Sequence, residues 1–149
     1  MGNEKDLKVA FLYNFAVYTE WPMPLPEGLT FCILGRDDLG SSLDALAGRQ
    51  IGGKPVTVRH LNSSDARTDS GGCHLTYSAA LSEAKLGKTS PDLYPKAILS
   101  VSGIANTDPA IIDLAREGNR LVFDIDNSRA HAAGLSISSK LLRLARSVR

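Results

Sequence analysis

The sequence predicts a single α/β domain, residues 1–149, with a mostly parallel sheet and helices on both faces. Two observations lead to this fold class. Short apolar runs typical of buried strands alternate with helical stretches, which is the pattern of sheets built from strand–helix–strand units. A chain of 149 residues also fits one domain and is long enough to bury a substantial core. We expect a Rossmann-like sheet that lacks the nucleotide-binding fingerprint.

The first predicted element is a long helix over residues 4–19. This segment carries aliphatic and aromatic side chains at helical spacing, and it ends before Pro22 because the residue preceding a proline is pushed out of the α region. We expect the helix to be largely buried. One of its sides is formed by Leu7, Phe11, Asn14, Phe15 and Tyr18.

Strands and helices then alternate along the middle of the chain. The apolar runs are bounded by glycine, proline and polar residues, which mark the turns between elements. Strands are predicted at 31–34, 56–61, 73–77 and 97–101, and helices at 39–47 and 79–86.

The two cysteines lie in the first and third of these strands. A doubly wound sheet with the strand order 2-1-3 places those strands side by side, so a bond between Cys32 and Cys73 is geometrically conceivable. Free cysteine is also a common core residue. The residues alone therefore leave a disulfide and two buried thiols open as alternatives.

Residues 108–118 allow two interpretations. Aspartate at the cap, proline at the first position and a closing glycine slightly favour a short helix. The strand predicted at 120–125 also allows a hairpin, with 111–115 as its first strand and 117–119 as its turn. A short helix over 127–133 follows either arrangement.

Residues 134–149 predict an amphipathic C-terminal helix. Ser138 or Ser139 caps its first turn, and the helix runs to about Val148. We interpret its apolar face as core, and its basic stripe either as a solvated surface near the negative end of the helix dipole or as a contact for an acidic partner. The apolar face is formed by Leu141, Leu144, Ala145 and Val148. The stripe is formed by Lys140, Arg143, Arg146 and Arg149, of which the first three are the candidate partner-binding residues.

The charge balance argues against one class of function. Seventeen basic and sixteen acidic residues give a net charge of +1, so the chain is not expected to bind nucleic acid through its whole surface. No run approaches the roughly 20 apolar residues that a membrane-spanning helix needs, and the charged start MGNEKDLK is unlike a secretory signal peptide.

Neither glycine-containing turn predicts a nucleotide site. The turn GRDDLG at 35–40 lacks the G-x-G-x-x-G spacing and places two aspartates where phosphate would bind. The run Gly87-Lys88-Thr89 has Ser82 where a phosphate-binding loop requires glycine. We expect no nucleotide cofactor.

The titratable residues predict neither a metal site nor a catalytic site. The three histidines share no ligand-like spacing, so each is interpreted as a surface or structurally satisfied side chain. Asp124 and Asp126 point to the same strand face, which alternation along a solvent-facing strand explains. The histidines are His60, His74 and His131.

Six segments, in order, together span nearly the whole sequence, although none of them is a catalytic motif. They are KVAFLYNFAVYTEWP at 8–22, FCILG at 31–35, LDALAGRQIGGKP at 43–55, GCHLTY at 72–77, FDIDN at 123–127 and GLSISSKLLRLA at 134–145. In this order the segments resemble the YfiR-like family.

The resemblance implies a periplasmic signalling regulator that is not an enzyme and has no cofactor. Such a protein binds the periplasmic part of a membrane-bound YfiN-type diguanylate cyclase and keeps cyclic-di-GMP output low, until an outer-membrane lipoprotein of the YfiB type sequesters it. The resemblance also implies a homodimer, a hairpin over 111–125, and a disulfide between Cys32 and Cys73. The alternative function is a small-ligand-binding sensor domain that serves a histidine kinase or an outer-membrane transport system.

Overall fold

A computed structural model describes the protein over residues 4–34, 39–61, 72–79, 97–104 and 110–149. Both helices and strands occur in these ranges, as the sequence predicts for an α/β domain. In chain order they are α1 (Glu4–Val17), β1 (Thr19–Glu20), β2 (Thr30–Leu34), α2 (Leu43–Ala47), β3 (Gln50–Ile51), β4 (Lys54–Pro55), β5 (Thr57–Leu61), β6 (Leu75–Ser78), β7 (Leu99–Ser102), β8 (Ile112–Glu117), β9 (Arg120–Ile125), α3 (Asn127–Ala132), β10 (Ser136–Ile137), α4 (Ser139–Leu144) and β11 (Ser147–Val148).

Among the described residues, seven strands form the main sheet in the order β11-β9-β8-β7-β6-β2-β5. The five strands from β5 to β8 run parallel to their neighbours, β9 is antiparallel to β8, and β11 is parallel to β9. Because β2 lies between β5 and β6, the predicted 2-1-3 order is confirmed. The mostly parallel α/β fold class is confirmed with it.

The segment after residue 110 forms the hairpin and not the helix. Strands β8 and β9 pair over six residues, from Ile112 opposite Ile125 to Glu117 opposite Arg120. Gly118 takes a φ of 63°, a left-handed conformation that glycine adopts without steric cost, so Gly118-Asn119 forms a tight turn. The short helix that the local sequence slightly favours is therefore not formed, because the pairing of six residues in each strand overrides the helical propensity of this stretch.

Helix α1 packs through Leu12 and Phe15 against the sheet. Both side chains are fully buried, and the ring centroid of Phe15 lies 4.9 Å from that of Phe123 on β9. The predicted buried side is partly wrong, because Leu7 is 45% exposed and Asn14 is also exposed. The stripe that meets the core is rotated from the predicted one and consists of Lys8, Val9, Leu12, Phe15 and Ala16.

The first helix is also shorter than predicted, because the chain turns into β1 after Val17. Thr19 pairs with Ile137 of β10, and its hydroxyl donates to the Phe15 carbonyl at 2.7 Å, which closes the last turn of the helix. The predicted strands at 31–34, 56–61, 73–77 and 97–101 are present with ends shifted by one or two residues. The helix predicted at 79–86 and the runs 35–38 and 87–89 lie outside the described residues, apart from Ala79.

The C-terminal helix is shorter than predicted. Ser138 is its cap, since its Oγ accepts the backbone N–H of Lys140 at 3.1 Å, but α4 ends at Leu144 and Ala145 is extended with ψ at 147°. The prediction of a helix to Val148 is wrong because the following residues form β11 on the edge of β9. Of the predicted apolar stripe only Leu141 is buried, whereas Leu144 is 69% exposed and Val148 is 46% exposed.

Candidate partner-binding site

The C-terminal segment is attached to the hairpin through Asp124. The Arg146 guanidinium forms a two-pronged contact with this carboxylate, with Nη2 at 2.6 Å from Oδ2 and Nε at 3.0 Å from Oδ1. Ser147 Oγ also donates to Asp124 Oδ1 at 3.0 Å. The hydrogen bond from Arg146 is the main reason that the pKa of Asp124 is lowered from its usual value. A second carboxylate, Glu117, lies 3.8 Å from Arg146.

Asp113 lies directly opposite Asp124 in the hairpin and is only partly exposed. Its Oδ1 accepts hydrogen bonds from Ser102 Oγ at 2.6 Å and from the Ala110 backbone N–H at 3.0 Å. Burial nevertheless raises the pKa of this carboxyl. Arg149 approaches it from the C-terminal segment, with Nη2 at 3.8 Å from Asp113 Oδ2.

Asp126 completes a row of three carboxylates beside β11. Its Oδ1 accepts the Arg129 backbone N–H at 3.1 Å and so caps α3. Its Oδ2 faces the guanidinium groups of Arg129 at 3.3 Å and Arg149 at 3.9 Å. The Arg149 carbonyl accepts backbone N–H groups of Asn127 at 2.8 Å and Ser128 at 3.3 Å. The aspartates of β9 and its C-terminal end are therefore engaged by cations of the same chain.

The candidate contact residues separate into two groups. Lys140 and Arg143 are exposed and lie three positions apart on α4, so they project from one side of this helix. At 100° per residue, Leu144 lies about 40° from Lys140 on the side away from Arg143, so the three side chains span about 100° of the helix surface. Arg146 is apart from this surface, because it follows the helix and holds Asp124. We call Lys140, Arg143 and Leu144 the α4 face. Its role in partner binding stays a prediction.

The disulfide that the resemblance implies is present between Cys32 and Cys73. The Cα atoms lie 5.8 Å apart, and the two residues are 0% and 4% exposed. Cys32 is in β2, and Cys73 lies two residues before the start of the neighbouring β6 at Leu75. With Leu34, Leu61 and Ile98 they form a cluster separate from the main core. The bond therefore links β2 to the segment that leads into β6.

His74 joins three parts of the fold, which the sequence did not indicate. Its Nδ1 accepts the Thr30 backbone N–H at 2.9 Å, and its carbonyl accepts Trp21 Nε1–H at 3.2 Å and the Leu99 backbone N–H at 2.9 Å. Accepting at Nδ1 requires that this nitrogen carry no proton. Partial burial lowers the pKa of His74 below 6.5. The only sequence signal was its position beside Cys73.

We expect acidification to destabilise the protein through His74. The neutral form is favoured in the folded state, whereas the unfolded chain takes up a proton near the ordinary pKa of about 6.5. The contribution of neutral His74 to the free energy of unfolding is therefore complete above about pH 6.5, and it is lost as the pH falls towards the lowered pKa of the folded state. Urea unfolding of the wild type and His74→Asn between about pH 7.5 and 5 measures it, since asparagine keeps an acceptor without titrating. If the free energy of unfolding changed with pH in the same way for both proteins, the destabilising role of His74 protonation would be contradicted.

The described surface also contains an open cavity of about 500 Å³ between α1 and the end of the hairpin. Its walls include Leu7, Ala10 and Leu121, and a hydrogen bond of 2.9 Å joins Arg116 Nη2 to Glu4 Oε2 at its rim.

In the part of the chain that the structure describes, no three His, Cys, Asp or Glu side chains are grouped as metal ligands. No described helix is long and apolar enough to cross a bilayer.

Together, the fold, the disulfide and the exposed α4 face define a class of protein. The chain is a small disulfide-bonded α/β domain with a mostly parallel sheet, a C-terminal hairpin and an exposed basic helix face. A family model described as YfiR/HmsC-like matches residues 5–146, so the chain belongs to the YfiR/HmsC-like family. None of the curated proteins matches the chain. The family is one of periplasmic regulators in diguanylate cyclase signalling, and it is not known for enzymatic activity.

Proposed function

We propose that this protein resides in the periplasm, binds the periplasmic part of a membrane-bound YfiN-type diguanylate cyclase, and represses it. The observation that carries the proposal is the family match, which covers residues 5–146. Binding lowers cyclic-di-GMP output because the cyclase is held in its inactive state. An outer-membrane lipoprotein of the YfiB type relieves repression by sequestering the regulator. A second copy of the chain is a further partner.

The α4 face is the surface that we assign to the cyclase. Leu144 is 69% exposed, and an apolar side chain in water gains from being covered by a partner. Lys140 lies beside it on the helix surface, and Arg143 lies beyond Lys140 on the same exposed side. A partner with an apolar contact bordered on one side by acidic residues fits this face, since complementary charge speeds encounter and fixes orientation.

Charge reversal of the α4 face tests this assignment. The double variant Lys140→Glu/Arg143→Glu should bind the purified periplasmic region of the membrane-bound cyclase from the same genome roughly tenfold more weakly, mainly through slower association at low salt. The control is Lys5→Glu/Lys54→Glu, which changes the net charge equally at two exposed lysines away from α4. We expect the control to bind within about twofold of the wild type.

Two outcomes distinguish an error in the assigned surface from an error in the proposed function. Unchanged affinity of the α4 variant removes the α4 face from the interface while leaving the cyclase as the partner. Absence of binding by the wild type under oxidising conditions, where the disulfide is intact, contradicts the proposed function itself. Isothermal titration calorimetry or surface plasmon resonance measures both.

A further inference from the structure

We propose that a cavity between α1 and α2 binds a small organic monocarboxylate with an aliphatic body, and that Arg49 holds the carboxylate. The cavity has a volume of about 400 Å³, which lies within the range of small-molecule sites. This site goes beyond the proposed function, which concerns a protein partner. Its test does not involve the cyclase, so either proposal can fail alone.

Arg49 supplies a cation whose position is fixed by its neighbours. Its guanidinium carbon lies 4.9 Å from the ring centroid of Tyr13 on α1, within the range of a cation–π contact. The ring is held in turn, because the Tyr13 hydroxyl donates to the Gln50 carbonyl at 2.8 Å. The guanidinium is therefore oriented before a ligand arrives, which lowers the entropic cost of binding.

The same guanidinium has hydrogen-bonding capacity left for a ligand. In the part of the chain that the structure describes, its contact is the Tyr13 ring, and no carboxylate or other acceptor pairs with its N–H groups. Two N–H groups of an arginine match the two oxygens of a carboxylate in one plane. Asn14 lines the same cavity and carries an amide that can also donate to a carboxylate oxygen. This charge complementarity identifies the ligand as an anion.

The walls of the cavity determine the rest of the ligand. Val9 and Ala10 of α1 and Ala45 and Leu46 of α2 line it, and all four side chains are aliphatic. The two alanines, one on each helix, are small and leave room between the helices. An aliphatic chain that extends from the carboxylate is removed from water when it packs against these side chains, which favours binding.

Asp6 limits the charge that the ligand can carry. Its Oδ1 accepts the Ser42 hydroxyl at 2.5 Å, and both residues line the cavity. Asp6 precedes Tyr13 by about two turns of α1, which places the two roughly 10 Å apart along the helix. A second negative charge at the far end of a ligand held by Arg49 would approach the Asp6 carboxylate and be repelled. The cavity therefore fits a monocarboxylate better than a dicarboxylate of the same length.

Three six-carbon probes test this selectivity: hexanoate, adipate and 1-hexanol. Each is titrated into the ¹⁵N-labelled protein, and amide shifts are followed by NMR. We expect hexanoate to cause saturable shifts in α1 and α2 and to bind about tenfold more tightly than 1-hexanol, which lacks the carboxylate. Adipate should bind at least about threefold more weakly than hexanoate. Absence of saturable shifts with hexanoate up to about 10 mM, or equal affinity for 1-hexanol, overturns the proposal.

Two variants separate the charge from the cavity. Arg49→Gln should weaken hexanoate binding about tenfold, whereas the control Arg120→Gln, which removes the same charge at an exposed arginine outside the cavity, should bind within about twofold of the wild type. Ala45→Leu keeps every charge and fills the cavity, and we expect it to weaken binding by a similar factor. Positions 45 and 49 are exposed, so both variants should fold, which their NMR spectra verify. Unchanged affinity of either variant overturns the assigned site.

Discussion

Loss of the Cys32–Cys73 bond lowers the free energy of unfolding by about 4 kcal/mol, according to the chain-entropy model of a crosslink. The two cysteines are 41 residues apart, so the bond restricts a long loop in the unfolded chain. That loss is a large fraction of the roughly 5–15 kcal/mol that stabilises an ordinary domain. Urea unfolding of the oxidised wild type and of Cys32→Ala/Cys73→Ala at neutral pH gives the difference.

The reduced wild type is the matched control for this prediction. It lacks the bond but keeps both sulfur atoms, so it separates the effect of the crosslink from that of the smaller side chains. Because the cysteines are 0% and 4% exposed, we expect reduction of the folded protein to be slow and to follow local opening. A change of less than about 1 kcal/mol on reduction would contradict the assigned stabilising role.

Truncation of Phe15 has an effect of comparable size. We expect Phe15→Ala to lower the free energy of unfolding by about 3–5 kcal/mol, because it removes a fully buried ring and leaves a cavity between α1 and the sheet. The ring packs against two other aromatic rings, with centroids 4.9 Å away at Phe123 and 5.9 Å away at Phe11. Chemical denaturation monitored by circular dichroism measures the loss.

Two positions on the same helix serve as controls. Leu7→Ala removes an apolar side chain that is 45% exposed, and we expect a loss below about 1 kcal/mol. Phe11→Ala removes a partly buried ring, so we expect its loss of unfolding free energy to lie between those of Leu7→Ala and Phe15→Ala. Equal losses at positions 7 and 15 would contradict the described orientation of α1.

The sequence predicted the sheet well because its strands carry their own signals. The runs at 31–34 and 97–101 are apolar and bounded by turn residues, and the 2-1-3 order of the first three strands is one of the arrangements that doubly wound sheets adopt. The family resemblance was sound because its motifs lie in order along the chain. It also indicated the hairpin, where local propensity at 108–118 alone slightly favoured a helix.

The C-terminal segment shows why the remaining prediction failed. The spacing from Leu141 to Val148 is helical, and nothing local distinguishes Leu141, which is buried, from Leu144, which is exposed. The conformation of the last residues is decided by the free edge of β9 and by Asp124, which lies 22 positions before Arg146. Such a contact follows from the fold and leaves no periodic signal in the sequence. The same reason explains why the hydrogen bond from Thr30 to His74 was missed.

The function that we propose for this protein is repression of a membrane-bound diguanylate cyclase from the periplasm. Cellular cyclic-di-GMP in the native organism tests it most directly, measured in the wild type, in a strain lacking the gene for this protein, and in a strain lacking both this gene and the cyclase gene. We expect cyclic-di-GMP to rise on deletion of the regulator and to return to the wild-type level or below when the cyclase is also absent. An unchanged or lower concentration in the single deletion would contradict repression by this protein.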